Sequence, residues 1–240
     1  MKLLSIGNPK TIKGQSQGFM TYILHLAPAD LSGYETCPKR TAGCTAACLN
    51  TAGRGGMFKE GGTNTIQEAR KRKTRMFFEN RKEFMAQLVD DISKAIKQSA
   101  KKGLTPVFRL NGTSDIAWEK YDVIEGFNIF QMFPTVQFYD YTKMHNRKVS
   151  DIHNYHLTFS DADGNAADVQ KALALGMNVA TVFGDGLPET YYGRPVFDGD
   201  ESDLRFLDPE NVIVGLKAKG RARKDQSGFV KYPTIMLKAA

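Results

Sequence analysis

Residues 155–183, YHLTFSDADGNAADVQKALALGMNVATVF, decide the fold class. Residues 155–160 carry the aromatic and β-branched side chains of a strand. Residues 165–175 form a helix that stops at Gly176, the residue type that most readily takes the left-handed C-terminal position. Residues 178–183 are a second strand. A helix between two strands is a crossover connection, so the strands pair in parallel.

The same alternation extends outward in both directions. Strands are expected at 19–26, closed by Ala27-Pro28, and at 106–110, 136–141 and 211–216. Residues 116–130 read as helical. Apolar residues at Ile66, Ala69, Phe77, Phe84, Leu88, Ile92 and Ile96 recur near the 3.6-residue period. They predict one or two amphipathic, strongly basic helices over 64–102, capped by Thr63 or Asn64. Six such strands in 240 residues predict a single α/β domain over 1–240. Its expected form is a partial or complete β/α (TIM-like) barrel with a cysteine loop after the first strand, and an open doubly wound sheet is the alternative. The barrel is preferred because polar residues follow the strand ends, where such barrels build their sites.

The composition, 41% apolar and 25% charged, is that of a chain able to bury a core, which excludes a disordered or fibrous protein. No run approaches a membrane span, and the N-terminus turns polar too soon for a secretory signal, so a cytoplasmic protein without a membrane partner is expected. The net charge of +7 is unevenly spread. Residues 59–102 hold 12 basic and 6 acidic side chains, residues 211–240 hold 7 and 1, and residues 160–210 hold 3 and 11. Nucleic acid is therefore a candidate partner, through basic residues 70–82 and 217–224.

All three cysteines fall in Cys37-Pro38-Lys39-Arg40-Thr41-Ala42-Gly43-Cys44-Thr45-Ala46-Ala47-Cys48, a C-x6-C-x3-C spacing. An odd count packed so closely is a poor disulfide framework and a plausible metal site. Six glycines between Cys37 and Gly62 read as a long loop, 37–62, in want of an external hold that a metal would supply. Three thiolates can ligate three irons of a [4Fe–4S] cluster, leaving one iron open, or three of the four positions on zinc. They can also be three small buried residues.

Further candidates lie at strand exits. Asn111, Gly112, Thr113 and Ser114 offer small polar groups suited to an amine, carboxylate or ribose, with a helix cap at Ser114 or Asp115 as the structural alternative. Asp115, Tyr139, Asp140, Lys143 and Lys217 are the candidate catalytic rim residues. The acidic run 198–208 reads as a solvated turn pairing with Arg205. His153 and His156 lack a metalloprotease spacing, and no nucleotide-binding Walker loop or nucleophile elbow is present.

The stretches CPKRTAGCTAACLNTAGR, FRLNGTSDIAWE, FYDYTK, LTFSDAD, VFDGDESDLRFLDP and VIVGLKAKGRARKD resemble a family of small tailed-phage proteins known as gene product eighty-eight, over roughly residues 15–230. More distantly, a first strand followed by a three-cysteine loop and β/α units resembles the radical S-adenosylmethionine superfamily. That resemblance implies a [4Fe–4S] cluster on Cys37, Cys44 and Cys48, with S-adenosylmethionine as cosubstrate. It also places Asn111, Gly112 and Thr113 at the methionine amine. The superfamily's usual C-x3-C-x2-C loop differs from this one, so a redox or ligand-binding relative is expected alongside a radical-generating enzyme. Phage origin implies the host cytoplasm. A metal-stabilised nucleic-acid-binding protein of phage replication is the alternative expectation.

Overall fold

The computed structural model describes residues 1–6, 9–58, 62 and 64–233. Its elements begin with β1 (Leu4–Ser5), α1 (Pro9–Lys13), β2 (Phe19–Leu24), α2 (Ala42–Ala46), α3 (Thr65–Glu79) and α4 (Arg81–Ala100). There follow β3 (Thr105–Arg109), β4 (Asp122–Ile124), β5 (Phe127–Asn128), α5 (Ile129–Met132), β6 (Gln137–Thr142) and β7 (Tyr155–Ser160). The chain continues through α6 (Ala166–Ala174), β8 (Val179–Phe183), β9 (Thr190–Tyr191), β10 (Arg194–Asp198), β11 (Ile213–Lys217) and β12 (Val230–Lys231). Thr63, residues 59–61 of the expected cysteine loop and residues 234–240 of the basic C-terminal stretch lie outside the described residues.

All the strands but β4 and β5, which pair separately, form one large sheet, in the order β1-β2-β3-β6-β7-β8-β11-β10-β9 with β12 added to β8. Every neighbouring pair from β2 to β10 is parallel, and only β1 and β9 run antiparallel at the two ends. β7 pairs with β8 at Val179 and Ala180, and β12 pairs with the end of β8 at Val182 and Phe183. The fold is therefore mixed α/β around a mostly parallel sheet. Closure into a complete barrel does not occur among the described residues, because the pairing path ends at β1 and β9. The doubly wound alternative fails as well, since the order advances from β2 to β11 with no central reversal.

Strand residues alternate between two faces. One face carries Tyr22, Phe108, Phe138 and Tyr155, which pack with Phe77, Phe84, Leu88 and Ile92 of α3 and α4. Further along, Phe159, Val179 and Ile213 pack with Val169 and Leu173 of α6. The opposite face carries Val107 and Tyr139 beneath Leu204 and Phe206, from the connection between β10 and β11. Helices thus cover one face, while an irregular segment covers part of the other.

Asn64 caps α3 as expected, its side-chain oxygen accepting from the backbone N–H of Ile66 (2.9 Å) and Gln67 (3.1 Å). The expected helix over 116–130 is not formed. Its place is taken by the β4–β5 hairpin, which turns through Gly126 at φ 76°, and by the short α5, which Asn128 and Gln131 open with reciprocal side-chain caps. β-branched Val123 and Ile124 followed by a residue in the left-handed region favour a hairpin over a continuous helix. β10, which leads into the acidic run, is not among the strands expected from the sequence.

Phe77 is fully buried, with its ring 5.0–5.3 Å from those of Phe78, Phe84, Trp118 and Tyr121. Phe77→Ala should destabilise the protein by about 3–5 kcal/mol, read as a lower urea midpoint at unchanged slope.

Candidate functional site

The exits of β2, β3, β6 and β7 share one edge of the sheet, as parallel pairing requires. The segment after β2 is not the bare loop expected over 37–62: it contains α2 and two 3-10 turns, Leu49–Thr51 and Gly53–Gly56. Its hold comes from side chains on either side of it. Asn64 donates from its side-chain amide to the carbonyls of Arg54 (3.0 Å) and Met57 (2.7 Å), and Gln67 to those of Asn50 and Gly55 (both 2.8 Å). Arg70 donates to the Asn50 carbonyl at 2.9 Å. On the other side, Asp163 beyond β7 accepts from the backbone N–H of Gly43 (2.9 Å) and Cys44 (3.1 Å) and from the Thr41 hydroxyl. Burial alone would raise the Asp163 carboxyl, but these bonds outweigh it and bring it below the usual value.

All three thiols are half-buried. Cys37 Sγ accepts from the Ala29 N–H at 3.4 Å, and Cys48 Sγ from the Asn50 N–H at 3.5 Å. Burial pushes the Cys37 thiol up to about 11, against the Ala29 and Thr36 hydrogen bonds and with help from the charges of Asp115 and Cys48. Cys48 is raised too, chiefly by burial and then by Cys44, while Lys143 and Arg70 oppose the shift. Among the described residues, no group of three His, Cys, Asp or Glu side chains is arranged around a single metal ion.

Lys143 leaves β6 toward these thiols. Its backbone N–H donates to Asp115 Oδ2 at 2.8 Å, and its Nζ donates to Ser160 Oγ at 3.3 Å. Burial disfavours its ammonium form, but the charges of Cys44 and Asp115 more than compensate and raise its pKa. Asp115 is itself buried and raised by desolvation, and its Oδ1 has no hydrogen-bond partner in the structure. Arg147 Nη1 lies 4.0 Å from that oxygen.

The expected ligand-binding residues after β3 are used to shape the turn. Asn111 Oδ1 accepts from Ile116 N–H (3.0 Å), Ser114 Oγ (2.9 Å) and Trp118 Nε1 (3.1 Å), while its Nδ2 donates to the Ile116 carbonyl (2.9 Å). Thr113 Oγ1 donates to the Leu26 carbonyl at 2.5 Å. Gly112 packs so closely on the end of β2 that a Cβ there would lie 2.5 Å from Ile23 Cγ2 and 2.8 Å from the Leu24 carbonyl oxygen. No α-helix follows, so Ser114 and Asp115 are not helix caps.

Asp140 is wholly buried rather than on the rim. It accepts from the N–H groups of Asn111 (2.8 Å) and Leu110 (3.3 Å) and from the Tyr155 hydroxyl (3.0 Å). Burial pushes its carboxyl up to about 7, against these bonds and the nearby Arg109 and Arg147. Tyr155 receives a hydrogen bond from Arg147 (3.1 Å), whose guanidinium also pairs with Glu119. Arg147 and Glu119 stand out only once the fold brings them together, because neither sits in a recognisable motif.

Tyr139 and Lys217 are elsewhere. Tyr139 points into the opposite face of the sheet, with its hydroxyl 3.4 Å from Asp203 and from Thr21. Lys217 is exposed at the end of β11, with β7 and β8 between it and β6, and pairs with Asp198 at 3.5 Å. The run 198–208 is only partly the solvated turn expected: Asp203 is buried against Arg109 (2.8 Å), and Arg205 is fully buried against Asp208 (2.9 Å). Much of the basic charge is also engaged within the fold. Lys73 donates to the Leu3 carbonyl, Arg75 to the Ser32 carbonyl, Arg81 lies over the Phe77 and Tyr121 rings, and Lys219 pairs with Asp200.

The sequence profile of a family described as gene product 88 matches residues 1–233. No curated protein and no solved structure matches the chain. No helix among the described residues is long and apolar enough to cross a membrane.

Two outcomes follow from the geometry. The Asp140 carboxyl is raised in the fold from an ordinary 3.8 to about 7, so its proton stabilises the native state fully below about 4, and that contribution is lost as pH rises through about 7. Asp140→Asn should flatten this part of the decline in stability, measured by denaturant midpoints across that range. Asp163→Ala should accelerate amide hydrogen exchange at Gly43 and Cys44, with α4 unchanged; equal protection at both sites would refute its anchoring role.

Proposed function

The chain belongs to the gene product 88 family, and we propose that it binds a [4Fe–4S] cluster through Cys37, Cys44 and Cys48 at the carboxyl-end rim of its parallel sheet. The observation that carries this reading is the grouping of all three cysteines, free and half-buried, in one short segment after β2. In a cluster each thiolate takes its own iron, so three cysteines need not surround one point as they would for zinc. Soft sulfur donors suit iron–sulfur chemistry, and ligation would remove the protons that burial otherwise keeps on Cys37 and Cys48.

The singly wound order of strands from β2 to β11 supports a partial β/α barrel, in which strand exits of this kind carry the site. In that setting the phage-encoded protein is a divergent relative of the radical S-adenosylmethionine enzymes, acting as a redox or ligand-binding protein or as a radical-generating enzyme. Bound here, the cluster supplies an electron and one iron free of cysteine for a small ligand. The chain's own groups do the positioning: Asp163 and Arg70 hold the cysteine segment from either side, and Asp115 and Lys143 place one carboxylate and one ammonium beside it. S-adenosylmethionine, with an amine and a carboxylate at one end, is the ligand that this pair of charges suits.

Protein purified without oxygen should carry about four irons and matching sulfide per chain, with an electron paramagnetic resonance signal on reduction. Replacing all three cysteines by alanine should abolish the iron while leaving α3 and α4 protected from exchange. A signal perturbed by S-adenosylmethionine would support the enzyme, and an indifferent one the redox protein. Zinc without iron would overturn the reading.

A further inference from the structure

Beyond β11 the chain returns to the segment that follows β2. The 3-10 turn Gly220–Lys224 packs its buried Ala222 with Ala47 and Val230, and it lies against the turn Leu49–Thr51. Lys217 and Lys219 pair with Asp198 and Asp200, whereas Arg221, Arg223 and Lys224 are exposed and form no ion pair among the described residues. Arg54, on the turn Gly53–Gly56, is exposed and unpaired in the same way. The carboxylates beside these turns are used within the fold. Asp225 accepts from Ser227 Oγ (2.6 Å) and from the Val230 N–H (3.0 Å), and Asp163 accepts from the backbone of α2. Cations therefore face solvent here while the anions are spent on backbone and hydroxyl groups.

The same surface exposes large apolar side chains. Leu49, Met57 and Phe58 are 62%, 69% and 53% exposed, all on the segment that carries Arg54. Unpaired cations interleaved with exposed apolar side chains fit a partner that carries both negative charge and flat apolar faces. We infer that residues 49–58 and 220–224 form a binding surface for single-stranded nucleic acid, with Arg54, Arg221, Arg223 and Lys224 at the phosphates and Phe58 stacking on a base. A duplex fits less well, because these turns of 3, 4 and 5 residues offer no helix or β-ribbon to enter a major groove. The basic face of α3 and α4 is not this surface, since Lys73, Arg75 and Arg81 are engaged within the fold. The inference does not depend on the cluster reading.

The test is fluorescence anisotropy of the full chain with labelled single strands of DNA and of RNA, and with the same sequence as a DNA duplex, over a range of salt. The single strands should bind more tightly than the duplex, and the tighter of the two identifies which nucleic acid the surface takes. Each neutralised phosphate adds about 0.7 to the salt slope for single strands, so replacing Arg221, Arg223 and Lys224 together by alanine should lower that slope by about two. Arg221→Lys with Arg223→Lys, which keeps the charge, should retain the parent slope. Should the triple variant fail to fold, Arg221→Gln with Arg223→Gln should lower the slope by about 1.4. Phe58→Ala should weaken binding about tenfold at unchanged slope, and Phe127→Ala, an exposed aromatic on the β4–β5 hairpin, should bind like the parent. A parent that binds neither single strand at low salt, or variants that bind like the parent, would overturn the assignment. So would equally tight binding to the duplex, to polyglutamate or to phosphatidylglycerol vesicles.

Discussion

A single buried carboxylate organises the rim. Asp140 lies at 0% exposure beneath the turn that follows β3, where it accepts two backbone N–H groups and the Tyr155 hydroxyl. Those N–H groups belong to Leu110 and Asn111, the first residues beyond β3, and would otherwise be unpaired in a water-poor environment. Leaving such groups unsatisfied costs about 1–3 kcal/mol each. Asp140 therefore fixes the direction in which the chain leaves the sheet. Asn111 continues the turn, Asp115 closes it on the backbone of Lys143, and Arg147 connects Tyr155 back to Glu119. The position of Lys143 at the exit of β6 is the end of this chain of bonds.

The opposite face of the sheet is polar in a way that composition does not reveal. Arg109 sits over the Tyr141 ring at 5.0 Å and pairs with buried Asp203. Burial alone would depress the Arg109 guanidinium, but Asp203 and its neighbours hold it above its ordinary value. Breaking a buried pair of this kind is strongly destabilising, by about 3–5 kcal/mol, because one charge is left unpaired. The segment 199–208 is thereby fastened across β3 and β6, which explains how an acidic run is drawn inside the fold. Electrostatic pairing with Arg109 and with the lysines at and just beyond the end of β11 takes up charges that look solvated when read in one dimension.

The cysteine segment shows the same contrast. Glycine richness pointed correctly to a stretch with little core of its own, and wrongly to a bare loop. Carbonyls of residues 50–57 are satisfied by Asn64, Gln67 and Arg70 of α3, and the α2 backbone by Asp163. Asn64 and Gln67 are ordinary helix-start residues in sequence. Their second use is visible only when the start of α3 packs against the segment that precedes it.

The sequence by itself determined the parallel α/β class, six of the main strands to within two residues at each end, the long helices α3 and α4, and the grouping of three thiols after the first major strand. It did so because side-chain periodicity and turn residues act locally. Only the tertiary structure decided that the sheet stays open, that residues 116–130 form a hairpin and a short helix, and that Asn111, Tyr139 and Asp140 are structural partners within the fold. It also separated Lys217 from Lys143, two strand-exit lysines that look equivalent in sequence. These outcomes depend on pairings between residues far apart in the chain, such as Asp163 with Gly43, 120 positions away. The bond between Asp163 and Gly43 exists because parallel strands bring their carboxyl ends to one edge, a constraint of space that no local pattern encodes.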